Sequence, residues 1–313
     1  MKLAFLYAGQ GSQKAGMGKD FYEKYPAFAE VIDKADASLP FDLKKTMFED
    51  PDGCLSQTAY TQPALAAYAA GVTRLLYEEG IYPEYTAGLS LGEYSALHVA
   101  GVFDTDELIR ITAKRGGFMT KAGEGMEALM CAVMGYDADK LAELCTDVTA
   151  SGIGKVEISN FNASGQIVIS GEAKAVEEAA KRAADDGARR TVILNTSGAF
   201  HTSFMAPAGE ELKKELSKMH FKEMKMPVIF NATGHPMQEN ENLTDLLVAQ
   251  IQNPVRMEQT IGFLAERGVD TIIEIGPGKT LSGFVRHTAK GIKTISIDKT
   301  EDLEKAFSLC REQ

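Results

Sequence analysis

Cysteine is scarce in this sequence: four in 313 residues, Cys54, Cys131, Cys145 and Cys310, with no C-x-x-C spacing. That scatter argues against both a disulfide framework and a zinc site, and it suits a reducing cytoplasm. No apolar run approaches the roughly 18 residues that a membrane-spanning helix needs. The opening MKLAFLYAGQ is too short in apolar residues to be a signal-peptide core. Basic residues are also in the minority, 33 Lys and Arg against 44 Asp and Glu, for a net charge of -11. Nucleic acid and anionic membrane both call for a dense basic face, so neither is an expected partner, and any polyanionic partner must meet a local basic patch. Internal repeats, low-complexity tracts and long linkers are missing as well.

What is present is a globular composition, 44% hydrophobic and 25% charged, in a chain long enough for one large domain with an insertion or for two modest ones. Short apolar runs alternate with longer amphipathic ones, the pattern of an α/β fold. Strands are expected at 3–8, 84–88, 227–231, 271–275 and 293–297. Helices are expected near 21–37, 62–79, 91–100, 104–121, 203–218, 243–252 and 258–267, with one on each side of the last strand. From about 126 to 195 the order becomes β-α-β-β-α-β, through ALMCAVMG, DADKLAELC, KVEISNF, QIVISG, EAKAVEEAAKRAADD and RRTVILN. This is the ferredoxin-like order, able to close a small core of its own. The expected architecture is a large α/β domain, 1–125 and 196–313, carrying a ferredoxin-like small domain, 126–195.

AGLSLGEYSALHVAG, residues 87–101, sets Ser90 in the spacing G-x-S-x-G between an expected strand and an expected helix. Two roles fit: a nucleophile on a tight strand-to-helix turn, or a plain helix cap. A serine hydroxyl needs a base to become a nucleophile, and five histidines are available. His98 lies eight residues along the same helix, about 12 Å from Ser90, which is out of reach. His220 ends a charged helix, His235 sits in the turn TGHP and His287 lies among basic residues, all settings of exposed histidines. His201, in NTSGAFHTSFMAP, ends a run of small residues just before a helix, whose N-terminus favours the neutral ring that can accept a proton. It is the preferred base.

An acyl transfer also needs amides for its oxyanion. Leu91, next after the serine, offers one, and the glycine-rich turn YAGQGSQ, residues 7–13, offers a second. That turn fails the dinucleotide pattern because position 14 is lysine, so a nicotinamide cofactor is not expected. GPGKT at 276–280 fails the phosphate-loop pattern because position 273 is isoleucine. In DTDELIRITAKRGGFMTK, Arg115 falls on the apolar stripe of Leu108, Ile111 and Phe118. A guanidinium there needs an anion, either a protein carboxylate or a substrate carboxylate gripped by two parallel hydrogen bonds.

With these pieces in place the chain resembles the malonyl-coenzyme A:acyl carrier protein transacylases, the acyltransferase family of fatty-acid synthesis that also occurs as polyketide-synthase domains. The likeness runs nearly end to end through GQGSQ at 9–13, TQPA at 61–64, GLSLGEYSAL at 88–97, Arg115, NFNASGQIVISG at 160–171, SGAFH at 197–201, QNPVRM at 252–257 and EIGPGKTL at 274–281. It implies a hydrolase-like large domain with a nucleophile elbow, Ser90 as acylated nucleophile, His201 as base and Gln250 as the residue that orients the histidine. It further implies the amides of Gln10 and Leu91 as oxyanion hole, and Arg115 as holder of the malonyl carboxylate. Phe200 stands where a phenylalanine accompanies malonyl selection, and Asn160 and Asn162 are implied substrate contacts. The implied substrate is malonyl-coenzyme A and the implied partner an acyl carrier protein, with no metal or redox cofactor. The chain departs from the family at Leu89, where histidine is common before the nucleophile, and at Ala8 and Ser164, which replace frequent prolines.

Two other functions use the same serine: a thioesterase or other serine hydrolase, which calls for a carboxylate such as Asp185 or Asp186 behind the base, and a scaffold with no chemistry. Candidate contacts for an acidic carrier protein are the basic runs Lys181, Arg182, Arg189 and Arg190, and Arg286, Lys290 and Lys293, each of which also reads as an ordinary solvated face.

Overall fold

The computed structural model describes residues 1–194, 196 and 198–311, with Cys310 described in its backbone alone. Asn195, Ser197, Glu312 and Gln313 lie outside the described residues. With them go the end of the expected strand RRTVILN, one serine of SGAFH and the last positions of the expected large-domain range.

The chain begins with β1 (Leu3–Tyr7), a glycine-rich loop and four helices, α1 (Lys19–Lys24), α2 (Pro26–Ser38), α3 (Leu43–Phe48) and α4 (Thr58–Glu78). β2 (Tyr85–Gly88) leads into α5 (Gly92–Val99) and α6 (Thr105–Gly123). Then come β3 (Ala128–Met134), α7 (Ala138–Ala150), β4 (Val156–Ala163), β5 (Gln166–Glu172), α8 (Ala173–Asp185) and β6 (Arg190–Leu194). The return passes through α9 (Ala206–Leu216), β7 (Val228–Ile229), α10 (Leu243–Gln252), β8 (Val255–Arg256) and α11 (Met257–Glu266). It ends with β9 (Thr271–Ile275), α12 (Thr280–Thr288), β10 (Lys293–Ile297) and α13 (Thr300–Arg311). Among the described residues no helix is long and apolar enough to cross a membrane.

One sheet has the order β10-β9-β1-β2-β7 with every pair parallel. A parallel strand covered on both faces must be apolar on both, and all five residues of β1, LAFLY, are buried. The second sheet has the order β6-β3-β5-β4-β8. Its first four strands are antiparallel and follow the expected β-α-β-β-α-β sequence. β8, for which the sequence gives no strand signal, joins β4 in parallel through Asn160↔Val255 and Phe161↔Arg256, so the returning chain is stitched into the smaller sheet.

Strand alternation gives that smaller sheet two different faces. Cys131, Val133, Ile167 and Ile169 pack with α7 and α8 into a core of their own. Met130, Ala132 and Val168 point the other way and join the main core beside a cavity that the two sheets share.

Candidate active site

Ser90 occupies the turn between β2 and α5 with φ 53, a left-handed conformation that is costly for a serine. The flanking glycines make that turn possible. A Cβ on Gly88 would lie 2.0 Å from the carbonyl carbon of Gly92, and one on Gly92 would lie 2.1 Å from the carbonyl oxygen of Tyr7. The alternative of a helix cap does not hold, because the capping position of α5 is Leu91 and no side chain caps it.

The Ser90 hydroxyl instead meets His201, whose Nε2 lies 2.7 Å from Oγ. The other ring nitrogen, Nδ1, is 2.8 Å from the backbone carbonyl of Gln250. A carbonyl can only accept, so Nδ1 carries the proton and Nε2 offers its lone pair to the serine. His201 is 4% exposed, and its pKa is lowered to about 4. Burial is the main cause, the Arg115 charge adds to it, and the Gln250 carbonyl pulls the other way. The expected cause, a helix N-terminus, is thus replaced: a 3-10 turn, Ser203–Met205, separates His201 from α9. The other histidines are elsewhere. His98 bonds Thr105, His235 bonds the Pro236 carbonyl, and His220 and His287 are exposed. Asp186 accepts from Tyr136 within the β3–β6 unit, and no carboxylate hydrogen-bonds His201 among the described residues.

Arg115, projected from α6, is fully buried. Asp104 and Glu107 start that helix with reciprocal capping bonds, which fixes the register that turns Arg115 inward. Met119 takes the buried place expected for Phe118, which is only partly buried. Nη1 donates to Gln62 Oε1 at 2.9 Å, and Nη2 donates to Gln250 Oε1 at 2.8 Å and to Ser90 Oγ at 3.1 Å. The guanidinium also lies 5.2 Å from the centre of the Tyr94 ring. No carboxylate hydrogen-bonds it among the described residues. Gln250 therefore does two jobs, holding His201 by its carbonyl and Arg115 by its side chain, while its Nε2 donates to the Ser90 carbonyl at 2.7 Å.

A cavity of about 370 Å³ opens over Ser90 and His201, lined also by Gln10, Phe200, Asn160 and Asn162 among others, with Arg115 and Gln250 buried behind the serine. The amides of Gln10 and Leu91 hydrogen-bond nothing among the described residues, so they are available as donors; the Gln10 side chain is anchored on Thr58 at 2.9 Å. Leu89 lines the same cavity, with an apolar side chain where histidine was the family expectation. Asn160 accepts from Ser159 at 2.9 Å, while the buried Oδ1 of Asn162 has no hydrogen-bond partner among the described residues. The GPGKT turn is closed to phosphate: the first-turn amides of Leu281 and Ser282 both donate to the buried Glu274 carboxylate at 2.9 Å.

Two buried residues beside the serine escaped the sequence reading. Asn231, just after β7, receives the Ser90 amide on Oδ1 at 2.6 Å and donates from Nδ2 to the Gly88 carbonyl at 2.7 Å. Glu93, in the first turn of α5, accepts from the Asn231 amide at 2.5 Å. Its pKa is raised to about 8 by burial, against opposing pulls from the Asn231 amide and Arg115. Glu93 carries a faint signal, the one acid in the helix GEYSALHV; Asn231 carries none.

The acyl transferase domain family matches residues 4–306. A malonyl CoA-acyl carrier protein transacylase of Bacillus subtilis (strain 168) is 42% identical over 312 residues, covering 100% of this chain and 98% of its own. Among solved structures, the malonyl CoA-acyl carrier protein transacylase of Clostridium perfringens superposes with a TM-score of 0.94 at 38% identity, covering 100% of this chain and 98% of that one. A malonyl-transacylase in complex with its type II PKS acyl-carrier protein reaches 0.94 at 34% identity, covering 99% of this chain and 100% of that one.

Proposed function

Since this chain belongs to the acyl transferase domain family, we propose that it moves a malonyl group from coenzyme A to the phosphopantetheine thiol of an acyl carrier protein, through a malonyl-serine intermediate. The supporting observation is the buried Arg115, 3.1 Å from the Ser90 hydroxyl and hydrogen-bonded to no carboxylate among the described residues, beside a serine and histidine 2.7 Å apart. A dry cation next to a nucleophile suits an acyl group that carries its own carboxylate and leaves an uncharged one unable to satisfy it.

In the first half-reaction Ser90 Oγ attacks the thioester carbonyl while His201 Nε2 takes its proton. The amides of Gln10 and Leu91 receive the oxyanion. The C–S bond then breaks, His201 returns the proton to the departing thiolate, and coenzyme A leaves. In the second half the carrier thiol gives its proton to His201, its sulfur attacks the serine ester, and Oγ leaves with that proton. Protein groups and the two thiols balance the sequence without a metal or redox cofactor. Phe200, Asn160 and Asn162 face the arm and acyl group in the cavity. In the same proposal residues 1–125 and 196–313 form a hydrolase-like catalytic domain and 126–195 a ferredoxin-like insertion. The setting is a reducing cytoplasm, in keeping with unpaired Cys54, Cys131 and Cys145.

Intact-mass measurement after mixing with malonyl-coenzyme A tests the proposal. One malonyl adduct, lost in Ser90→Ala and cleared by a carrier thiol, is the expected result. Rapid clearance in water would indicate a hydrolase instead, and no adduct at all a scaffold.

A further inference from the structure

The strained serine turn is held by the sheet on one side alone: on the β1 side Tyr7 pairs with Gly88 and its carbonyl accepts from the Leu89 amide at 3.0 Å, while on the β7 side strand pairing runs out. β7 pairs with β2 at only two positions, Thr86↔Val228 and Ala87↔Ile229, so the ladder stops one residue short of Gly88. Beyond that point the Asn231 side chain stands in for a strand: it donates to the Gly88 carbonyl at 2.7 Å and accepts from the Ser90 amide at 2.6 Å. Asn231 is itself pinned from the far arm of the turn, because its amide donates to Glu93 on α5 at 2.5 Å. Both residues are fully buried. The result is a closed ring of contacts, Gly88–Asn231–Ser90 on one side and Asn231–Glu93 on the other, that spans strand and helix.

We propose that Asn231 and Glu93 are positioning residues that fix the pitch of the serine turn and so hold Ser90 Oγ in reach of His201. Neither lines the cavity; Asn231 acts through the backbone of Gly88 and Ser90, and Glu93 acts through Asn231. Among the described residues the hydrogen bond from the Asn231 backbone amide ties Glu93 to the turn, and the Arg115 charge and the Gln250 side chain also act on this carboxyl. A carboxyl held neutral by burial still accepts through its carbonyl oxygen, so charge is not needed for the strut, and glutamine should serve as well as glutamate. A left-handed serine without such support would relax toward commoner backbone angles and swing its hydroxyl away.

The inference rests on Ser90 being the nucleophile, and the test separates the two. A fluorophosphonate probe reports serine reactivity whatever the natural acyl group: Oγ bonds to phosphorus, fluoride leaves, and His201 takes the proton. The full chain and its variants are compared by intact mass for the rate of labelling, and by steady-state kinetics with malonyl-coenzyme A. Asn231→Ala and Glu93→Ala should label about 10- to 100-fold more slowly, the cost expected of a misplaced nucleophile. Their kcat should fall in step while KM stays within about three-fold. Asn231→Leu, similar in size but able neither to donate to Gly88 nor to accept from Ser90, should lose at least about ten-fold and serves if the alanine variant does not fold. Glu93→Gln should label within about three-fold of the parent, and the double alanine variant should be no slower than the slower single one, since both break one strut. Parent-like labelling by any folded Asn231 variant, or a rise in KM with unchanged labelling, would overturn the inference. A parent protein that the probe labels nowhere would overturn the nucleophile itself.

Discussion

At the scale of single residues, the site is governed by one buried positive charge. Arg115 is buried beside His201, both reaching the Ser90 hydroxyl, and burial together with that charge keeps the imidazole neutral down to about pH 4. For the free enzyme, kcat/KM should therefore fall as pH drops through about 4 and stay flat between 5 and 7; an acid limb near 6.5 would contradict the environment described. Stability follows the same sign. The unfolded histidine takes up its proton below 6.5 while the folded one does so only near 4, so this group costs stability progressively as pH falls through that window. Arg115→Ala tests the charge from the other side. It should lower kcat/KM for malonyl-coenzyme A about 100-fold, the worth of a charge-assisted pair near 3 kcal/mol, and spare or raise that for acetyl-coenzyme A. An unchanged ratio between the two donors would remove Arg115 from selection. The spacing in the sequence could point to Ser90, His201 and Arg115 because each stands in a local pattern of glycines, small residues or apolar stripe. It could not point to Asn231, whose partner Ser90 is 141 residues away and whose own surroundings, IFNATG, look like any turn.

Elements were legible where hydrophobic period and caps agreed, as in α10 and β9, which occupy the expected 243–252 and 271–275. Readings failed where one signal hid another. The expected helix 21–37 is two helices, broken where extended Tyr25 precedes Pro26. α4 was expected to start at 62, next to Pro63, yet it starts at Thr58 and carries the proline inside, within a helix buried almost all round. α3 and β8 have six and two residues, too few to show a period. The serine turn is the opposite case, an element set by two residues. Gly88→Ala would drive a methyl group into the backbone of Gly92, and neither strand nor helix can retreat without losing its packing. The variant should lose about 3 kcal/mol in a denaturant titration and most of its acylation; a parent-like midpoint would show that the turn is looser than its geometry.

For the whole molecule the proposed function poses a problem of charge: a chain of net charge -11 would have to receive a carrier protein expected to be acidic too. The two basic runs in the sequence are not equivalent in space. Lys181 and Arg182 ride on α8, which packs on the face of the smaller sheet turned away from the cavity, and Arg182 is already paired with Glu178 at 2.7 Å. α12, by contrast, lines the cavity with Thr280, Leu281 and Phe284 at one end, and at the other Thr288 touches Ser164 in the β4–β5 turn. It therefore bridges the two sheets along one side of the cavity, and its exposed Arg286, with Lys290 just beyond, is the candidate contact nearer the cavity for the partner of the proposed function. Steering by exposed charges acts on encounter rather than chemistry. Reversing Arg286 and Lys290 to glutamate should raise KM for the carrier protein about ten-fold at low salt, with the difference shrinking as salt screens it, and leave serine malonylation by coenzyme A unchanged. The same reversal at Lys181 should do little. If the α8 variant is the one that loses the carrier, the partner approaches across the smaller sheet and the assignment to α12 is wrong.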